Sequence, residues 1–227
     1  MCGRFTLTAN AETIAGHFQL SAVPHDHSPR YNIAPGQAIH VITLAEGGVR
    51  HFDLMLWGLI PFWAKDPGIG HRMINVRAET VSSKPAFRHA FKHGRCLIPA
   101  DGFYEWRREE TGKQPFWIGC KDRGVFAFAG LWERWAAKDG SEVIESCTII
   151  TKDAQAPIRH LHDRMPVLLQ PEDYSTWMDE GTGKTAAEHI LQGDYGRDIE
   201  IFPVTRDVNT PRNDHEGLIK PIGTFIS

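Results

Sequence analysis

The chain has 227 residues, of which 41% are hydrophobic and 23% are charged, ordinary values for a globular domain. No apolar segment follows Met1 and no apolar run reaches the length of a membrane span, which argues against a signal peptide, a transmembrane helix and a membrane partner. Four cysteines, none in a Cys-x-x-Cys pair, argue against a zinc ribbon or disulfide scaffold and favour a cytoplasmic protein with free thiols.

The net charge of −3 is unusual for a protein that binds nucleic acid, but the charge is unevenly distributed. Residues 71–95 contain six basic side chains and one acidic side chain, whereas residues 171–200 contain eight acidic and two basic ones. An anion-binding surface would give this asymmetry, and so would two solvated faces of opposite charge. Charge alone favours the second interpretation.

Short segments with strand character follow one another along most of the chain. The predicted strands include 38–44, 49–57, 94–98, 103–106, 115–118, 125–129, 146–151, 166–169 and 199–204. The predicted helices are short: one capped by Asn10, one beginning near Ser83 and Pro85, one opened by Pro171 and one over 184–191. Because strands do not alternate regularly with helices, the pattern predicts an α+β fold of mostly antiparallel strands, in a single domain over residues 1–227.

The reactivity of Cys2 depends on its position in the chain. Methionine aminopeptidases remove Met1 when the second residue is small, and the product carries an α-amine and a thiol on adjacent carbons. Such a 1,2-aminothiol condenses with an aldehyde to an imine and then closes a thiazolidine ring. The α-amine suits the first step because its reference pKa of about 8 leaves an appreciable neutral fraction at neutral pH. Taken alone, a cysteine at position 2 is more simply read as accidental.

Polar and apolar residues alternate in the segment Ile74-Asn75-Val76-Arg77-Ala78-Glu79. In a strand, the side chains of Asn75, Arg77 and Glu79 would share one face. This face is expected either to line a wet cleft or to belong to an exposed edge strand, and the periodicity favours neither.

Two residues are candidates for proton transfer. Glu105 lies among aromatic residues in Phe103-Tyr104-Glu105-Trp106, where partial burial would raise its pKa towards that of a useful acid or base. His162 lies in His160-Leu161-His162-Asp163-Arg164, and a general acid/base is favoured over a metal ligand because no partnering cluster is evident elsewhere. The alternatives are a surface glutamate and a structural loop histidine. No metal site is predicted.

Phe62 and Trp63 lie in a loop rich in proline and glycine that follows a predicted strand. Aromatic residues in such a loop pack against the core or, beside arginines, stack on the bases of a single strand. The segment Tyr31-Asn32-Ile33-Ala34-Pro35-Gly36 is interpreted as a turn with a structural role.

Six short motifs together resemble the SOS response-associated peptidase (SRAP) family of abasic site processing proteins. They are Met-Cys-Gly-Arg-Phe at 1–5, Tyr-Asn-Ile-Ala-Pro at 31–35, Trp-Gly-Leu-Ile-Pro at 57–61, Ile-Asn-Val-Arg-Ala-Glu-Thr at 74–80, Asp-Gly-Phe-Tyr-Glu-Trp at 101–106 and His-Asp-Arg-Met-Pro at 162–166. They follow the family's order from Cys2 to about Pro166. The resemblance implies a β-rich α+β fold around a positively charged DNA-binding cleft.

The resemblance also implies a role for each candidate catalytic residue. Cys2 matches the crosslinking cysteine, and Asn75 matches the asparagine that positions the N-terminus and the sugar of the adduct. Glu105 matches the acidic residue beside the α-amine, and His162 matches the histidine that assists opening of the sugar ring.

The resemblance also implies which residues contact DNA. Arg4, Arg77 and Arg164 match arginines that contact the phosphate backbone, and Trp63 matches an aromatic residue that abuts bases next to the lesion. Phe62 stands where the family varies. The expected partner is single-stranded DNA containing abasic sites, with no cofactor and no metal, and we expect a monomer that is cytoplasmic and associates with the nucleoid when bound to DNA.

The function implied by the resemblance is formation of a covalent thiazolidine crosslink between Cys2 and the aldehyde of an abasic site, after removal of Met1. Two further activities are implied: autocatalytic removal of Met1 and a minor lyase activity at the abasic site. Two alternatives remain open from the residues themselves. One is a cysteine hydrolase or peptidase that uses Cys2 with His162, and the other is a non-covalent module that binds single-stranded DNA through Arg77 and Trp63.

Overall fold

The structure, a computed structural model, describes residues 2–110 and 112–224. Its strands are β1 Phe5–Leu7, β2 Arg30–Ile33, β3 Ala38–Leu44, β4 Arg50–Trp57, β5 Asn75–Arg77, β6 Arg95–Ala100, β7 Gly102–Glu109, β8 Gly112–Cys120, β9 Phe126–Ala136, β10 Val143–Asp153, β11 Arg164–Pro166, β12 Leu168–Leu169 and β13 Ile199–Pro203. Its α-helices are α1 Ala11–Phe18, α2 Arg88–His93, α3 Tyr174–Met178 and α4 Lys184–Gln192. Short 3-10 turns lie at Glu46–Gly48, Pro67–Arg72, Ile158–His160, Pro171–Asp173, Arg206–Asn209 and Glu216–Ile219.

Five strands close into a small barrel in the order β10, β4, β3, β6 and β9, and β9 pairs with β10 to complete the ring. The β10–β4 pairing is parallel and the other pairings of the ring are antiparallel. Strands β5, β11 and β12 extend the wall of the barrel. Val41, Ile98 and Phe128 share one face of these strands by their register and are fully buried, so this face is apolar.

A second, five-stranded antiparallel sheet has the order β13, β8, β7, β1, β2. Phe5 of β1 makes edge-on ring contacts with Trp57 and Phe128 of the barrel, at centroid distances of 5.3 and 5.7 Å. The two sheets therefore share one apolar core. The predicted class, a β-rich α+β fold of mostly antiparallel strands, is confirmed. The assignment of residues 1–227 to one domain stays a prediction.

The predicted elements agree with the structure in most places. Strand β3 has the predicted bounds, and Asn10 caps α1 by accepting a hydrogen bond of 2.8 Å from the Thr13 amide. All four cysteines are free and buried, as expected of a protein with free thiols. Within residues 2–110 and 112–224, no helix is both long and apolar enough to cross a membrane.

Three local predictions need correction. The segment predicted as one strand at 166–169 is divided, because β11 pairs with β10 whereas β12 pairs with β9, and Val167 between them bonds to both strands. The helix expected near Ser83 begins only at Arg88, after a series of turns. The first residues of the segment at 31–36, interpreted as a turn, belong to β2.

Candidate functional site

Cys2 lies just before β1, at the edge where the five-stranded sheet meets the barrel. Phe5 pairs with Phe103 of β7, and the Tyr104 amide donates to the Arg4 carbonyl at 3.0 Å, which continues the pairing towards the N-terminus. The Cys2 side chain is fully buried, and its thiol donates to the Arg4 carbonyl at 3.8 Å. Burial, and then the nearby Glu105 carboxylate, raise the pKa of the thiol well above its usual value. The sulfur is therefore held as a neutral thiol.

Glu105 lies on β7, opposite Phe116 of β8, and is only 2% exposed. Burial raises the pKa of this carboxyl to about 7, and the charge of Asp163 acts in the same direction. Both protonation states are therefore populated near neutral pH. A group of this kind can donate a proton in one step of a reaction and accept one in another.

Asn75 begins β5, which pairs in parallel with β10 so that Asn75 lies opposite Ile149. Its amide nitrogen Nδ2 donates a hydrogen bond of 2.8 Å to the Cys2 carbonyl. Its oxygen Oδ1 is buried and accepts no hydrogen bond from the part of the chain that the structure describes. Buried polar atoms are normally paired, so Oδ1 is a ready acceptor for a hydroxyl or amine group of a ligand.

His162 precedes β11 and its side chain is 31% exposed. Its ring nitrogen Nδ1 accepts a hydrogen bond of 2.9 Å from the Arg164 amide and also lies 2.8 Å from the Asp163 carboxylate. An Nδ1 atom that accepts from the amide cannot donate to the carboxylate. Burial lowers the pKa of His162, which favours the neutral ring. The ring proton then lies on Nε2, so this edge of the imidazole is a hydrogen-bond donor.

The predicted catalytic residues thus come together from four separate segments. Asn75 is joined to Cys2 by a hydrogen bond, and Glu105 is within electrostatic reach of both Cys2 and Asp163, the neighbour of His162. The described residues include no group of three or more histidine, cysteine, aspartate or glutamate side chains that would hold a metal ion.

The three predicted phosphate contacts differ in their exposure. Arg77 ends β5 and is exposed. Arg4 is half-buried, and its Nη1 atom donates to the Asn32 side chain at 2.8 Å and to the Val208 carbonyl at 2.6 Å. The Arg4 guanidinium therefore also ties the N-terminal segment to the C-terminal region.

Arg164 has the least accessible guanidinium of the three, with a side chain that is 7% exposed. It forms a two-pronged ion pair with Glu79, at 2.8 and 2.9 Å, and also contacts Asp153 and the Thr151 carbonyl. Glu79 lies in the turn after β5, so the predicted face of Asn75, Arg77 and Glu79 is shorter than expected. The phosphate contact of Arg164 stays a prediction, and in this structure most of its donors hold the walls of the site together.

Phe62 and Trp63 lie in the loop between β4 and β5, and each is 50% exposed. The backbone of the loop is fixed by contacts to the barrel: the Ile60 amide donates to Ser146 at 2.8 Å, and the Trp135 ring donates to the Ala64 carbonyl at 2.8 Å. Two large aromatic side chains are therefore presented to solvent by a fixed support.

Two residues that position the N-terminal segment are absent from the sequence-based site. Asp101 is 5% exposed and accepts hydrogen bonds from the Thr6 and Thr8 hydroxyls at 2.6 and 2.7 Å and from the Ala9 amide at 2.9 Å. Asn32 is fully buried and donates to three backbone carbonyls between residues 208 and 213. Asn32 belongs to the motif at 31–35 and Asp101 to the motif at 101–106, and membership of these motifs is the sequence signal that marks them.

Comparisons with known proteins agree on one family. Residues 1–211 match the model of the family described as SOS response associated peptidase (SRAP). The chain is 41% identical over 224 residues to the abasic site processing protein YoqW of Bacillus subtilis, covering 97% of this chain and 99% of that protein. It is 33% identical over 232 residues to the abasic site processing protein YedK of Escherichia coli, covering 98% and 100%. A crystal structure of a protein from Bacteroides thetaiotaomicron superposes with a TM-score of 0.86 at 25% identity, covering 97% of this chain and 99% of that one.

Proposed function

Since this chain belongs to the SRAP family of abasic site processing proteins, we propose that it captures abasic sites in single-stranded DNA through a covalent bond to Cys2. The reaction requires the α-amine of Cys2, and therefore the removal of Met1, which lies outside the described residues. The observation that carries the proposal is the hydrogen bond of 2.8 Å between Asn75 and the Cys2 carbonyl, beside a buried carboxyl whose pKa is about 7.

The first step is opening of the sugar. An abasic deoxyribose interconverts between a closed hemiacetal and an open aldehyde. In opening, the ring oxygen gains a proton and the C1′ hydroxyl loses one as the carbonyl forms. His162, with its ring proton on Nε2, is suited to donate a hydrogen bond to the ring oxygen and so to stabilise the negative charge that develops there, while solvent supplies the proton to this oxygen and takes the hydroxyl proton. The product is the aldehyde that the amine attacks.

The second step joins the protein to the sugar. The neutral α-amine of Cys2 adds to C1′, and loss of water from this adduct gives an imine. Glu105 in its protonated form donates a proton to the departing hydroxyl, which leaves as water. The Asn75 amide holds the Cys2 backbone during attack, and its Oδ1 atom accepts a hydrogen bond from the sugar or the amine.

The third step closes the ring. The Cys2 sulfur adds to C1′ of the protonated imine and gives up its proton to the Glu105 carboxylate formed in the preceding step. The nitrogen receives the electron pair of the C=N bond, so the product is a neutral thiazolidine and Glu105 regains its proton. Overall, an aldehyde and an aminothiol give a thiazolidine and one water. Because the raised pKa keeps the thiol protonated, a base beside it is needed in this step.

The remaining site residues are proposed to bind DNA. Arg77, the exposed arginine, contacts phosphate directly, and Arg4 and Arg164 contact it from the more buried walls of the site. Phe62 and Trp63 stack against bases beside the lesion. We further propose that peptidase activity is limited to removal of Met1, that lyase activity is minor, and that the protein acts as a cytoplasmic monomer that joins the nucleoid when bound to DNA.

A denaturing gel tests the proposal. Processed protein is mixed with single-stranded DNA that contains one abasic site, and in parallel with intact DNA and with a peptide substrate. A band of protein joined to DNA, formed only with abasic DNA and stable to heat and detergent, is the expected result. Cleavage of the peptide without such a band would indicate a cysteine hydrolase. Equal binding of both DNAs without any stable bond would indicate a non-covalent binding module.

A further inference from the structure

Three aromatic side chains form a row on the surface beside the proposed site. The ring centroids of Phe62 and His89 are 4.6 Å apart, and those of His89 and His93 are 5.1 Å apart. His89 and His93 are four residues apart on α2, so they lie on the same face of the helix. All three are about half exposed: Phe62 by 50%, and the side chains of His89 and His93 by 47% and 43%.

Positive charge flanks this row. Arg88 and Lys92 are exposed on α2 and line the same groove as Phe62 and Trp63. A second groove on the other side of Trp63 is lined by Lys65 and Arg72. Exposed aromatic rings interleaved with basic residues are typical of surfaces that bind single-stranded nucleic acid, since every base presents a flat face and every nucleotide a phosphate.

Two carboxylates on neighbouring segments hold the histidine rings in place. Glu133 of β9 lies 2.9 Å from Nδ1 of His89, and Glu180 lies 3.3 Å from Nδ1 of His93. Both contacts use the edge of the ring, so neither carboxylate covers a flat face, and neighbouring rings in the row are tilted by 51° and 45° relative to each other. The side chain of Glu133 is 9% exposed, which limits its effect on a phosphate in the groove.

The row is continuous with the proposed reaction site. Along β10, Cys147 pairs with Trp57 at the end of β4 and Ile149 pairs with Asn75 at the start of β5, so the loop that carries Phe62 begins and ends beside Asn75. Its first and last turns are joined by the hydrogen bond from the Leu59 amide to the Met73 carbonyl, at 3.1 Å. A DNA strand that leaves the Cys2–Asn75 site across this loop therefore meets Phe62 and then α2.

We propose that Phe62, His89 and His93 form a track on which bases of the single strand on one side of the lesion stack, while Arg88 and Lys92 contact its phosphates. The inference rests on the proposed function and adds a subsite for nucleotides that are not themselves modified. It assigns α2 to DNA binding through the two histidines, which add aromatic stacking to the phosphate contacts of Arg88 and Lys92.

The test uses DNA in which the lesion is a tetrahydrofuran analogue, which has no aldehyde and so separates binding from bond formation. The single-stranded flank is lengthened on one side of the lesion at a time, and the Kd is measured. The native protein is expected to gain affinity as one of the two flanks grows. The double variant His89→Ala/His93→Ala is expected to lose that gain, on the order of tenfold for each ring. Lys92→Ala is expected to reduce the log–log salt slope by about 0.7.

Two further variants separate stacking from other effects. His89→Gln keeps a donor for Glu133 but removes the ring, and is expected to lose about half of the flank-dependent gain in affinity that the double variant loses. His51→Ala, at an exposed histidine of β4, is the matched control. Its Kd is expected to depend on flank length as that of the native protein does. Two results would contradict the proposed track. One is that the Kd of the double variant falls with flank length as it does for the native protein, and the other is that a double-stranded flank improves the Kd equally. Failure of the native protein to crosslink reactive abasic DNA would instead refute the proposed function and leave the flank series interpretable.

Discussion

The Asn75 side chain donates a hydrogen bond of 2.8 Å to the backbone carbonyl of Cys2, across 73 positions of sequence. This contact fixes the residue that carries both proposed nucleophiles, while the partner oxygen Oδ1 stays available to a ligand. Cys2 otherwise lies at the end of the chain, where backbone order depends on being tied down. The Asn75 amide therefore holds Cys2 itself, in addition to the contacts that fix the residues following it.

Asn75→Asp tests this relationship with almost no change in shape. The carboxylate cannot donate to the Cys2 carbonyl, and it places a negative charge near Glu105. Loss of a buried hydrogen bond with an unpaired partner costs about 1–3 kcal/mol, so we expect crosslinking to slow by roughly 10–100-fold. Rates measured on denaturing gels at saturating abasic DNA report this loss. A native rate would mean that the hydrogen bond has no part in the reaction.

A blocked N-terminus is expected to abolish crosslinking. Retention of Met1, or an added residue before Cys2, converts the reacting amine into an amide and removes its nucleophilicity. The measurement compares protein with a free N-terminal cysteine, verified by mass, with protein that carries one additional residue. Non-covalent affinity for the tetrahydrofuran analogue serves as the control for folding. Crosslinking by the blocked protein at the native rate would refute the mechanism.

Glu105→Gln is expected to slow capture and to change its dependence on pH. The buried carboxyl has a pKa of about 7, and general acid/base groups contribute roughly 10²–10⁴-fold. The native rate should therefore show an inflection near pH 7 that is absent from the variant. An inflection that persists in Glu105→Gln would assign the titration to another group.

The same residue has a consequence for stability. Burial raises the folded-state pKa of Glu105 above its unfolded value of 4.5, so the folded protein holds its proton more tightly. This contribution is fully present below about pH 4.5 and is lost as the pH rises through about 7, by on the order of 2–3 kcal/mol. Glu105→Gln, which cannot ionise, should therefore gain stability relative to the native protein between pH 5 and pH 8 in denaturant titrations.

Much of the local structure could be predicted from the sequence, because local patterns decide it. The Asn10 cap and the strand Ala38–Leu44 depend on residues within one turn or one strand. The motifs also named Asn75 and Glu105, which the structure places beside Cys2, while their catalytic roles stay predictions. The contacts that bring those residues together are long-range, however. Closure of the barrel depends on β9 pairing both with β6 and with β10.

Glu79 shows why the alternation of polar and apolar residues was insufficient to predict which side chains share a face of β5. Glu79 follows Asn75 and Arg77 at the two-residue spacing of a strand face. However, β5 ends at Arg77, because the chain turns there and the Thr80 amide donates a hydrogen bond of 3.1 Å to the Arg77 carbonyl. The turn directs Glu79 towards Arg164, 85 positions further along the chain. An ion pair between such distant residues leaves no periodic signal, so the burial of Arg164 beside the half-exposed Glu79 could not be anticipated.

Arg77→Ala tests the proposed phosphate contact at the exposed arginine. Loss of one contact to a single strand should reduce the log–log salt slope of binding by about 0.7 and weaken binding to all sequences alike. The matched control is Lys121→Ala, at an exposed basic residue that pairs with Asp198 at 3.4 Å. Kd values for the tetrahydrofuran analogue across a salt series provide the measurement. An unchanged slope would remove Arg77 from the DNA-binding surface.

Cys2→Ser tests the chemistry of the bond. Serine keeps the α-amine and nearly the same shape, but its hydroxyl is a much weaker nucleophile than a thiol. The amine should still form an imine with the open aldehyde, because that step needs no sulfur. Ring closure to an oxazolidine should be slow and readily reversed. The variant should therefore bind abasic DNA and give little adduct on a denaturing gel.

Borohydride distinguishes the two linkages, because it reduces an imine to a stable amine. Its addition should restore the adduct band of Cys2→Ser, whereas the native protein should give the band without it. The persistent imine should also promote β-elimination, so strand cleavage beside the lesion is expected to rise in the variant. As much heat-stable adduct from Cys2→Ser as from the native protein, without borohydride, would show that sulfur is not part of the linkage. Absence of any trapped product would show that the α-amine is not the attacking group, and the nucleophile would then have to lie elsewhere in the site.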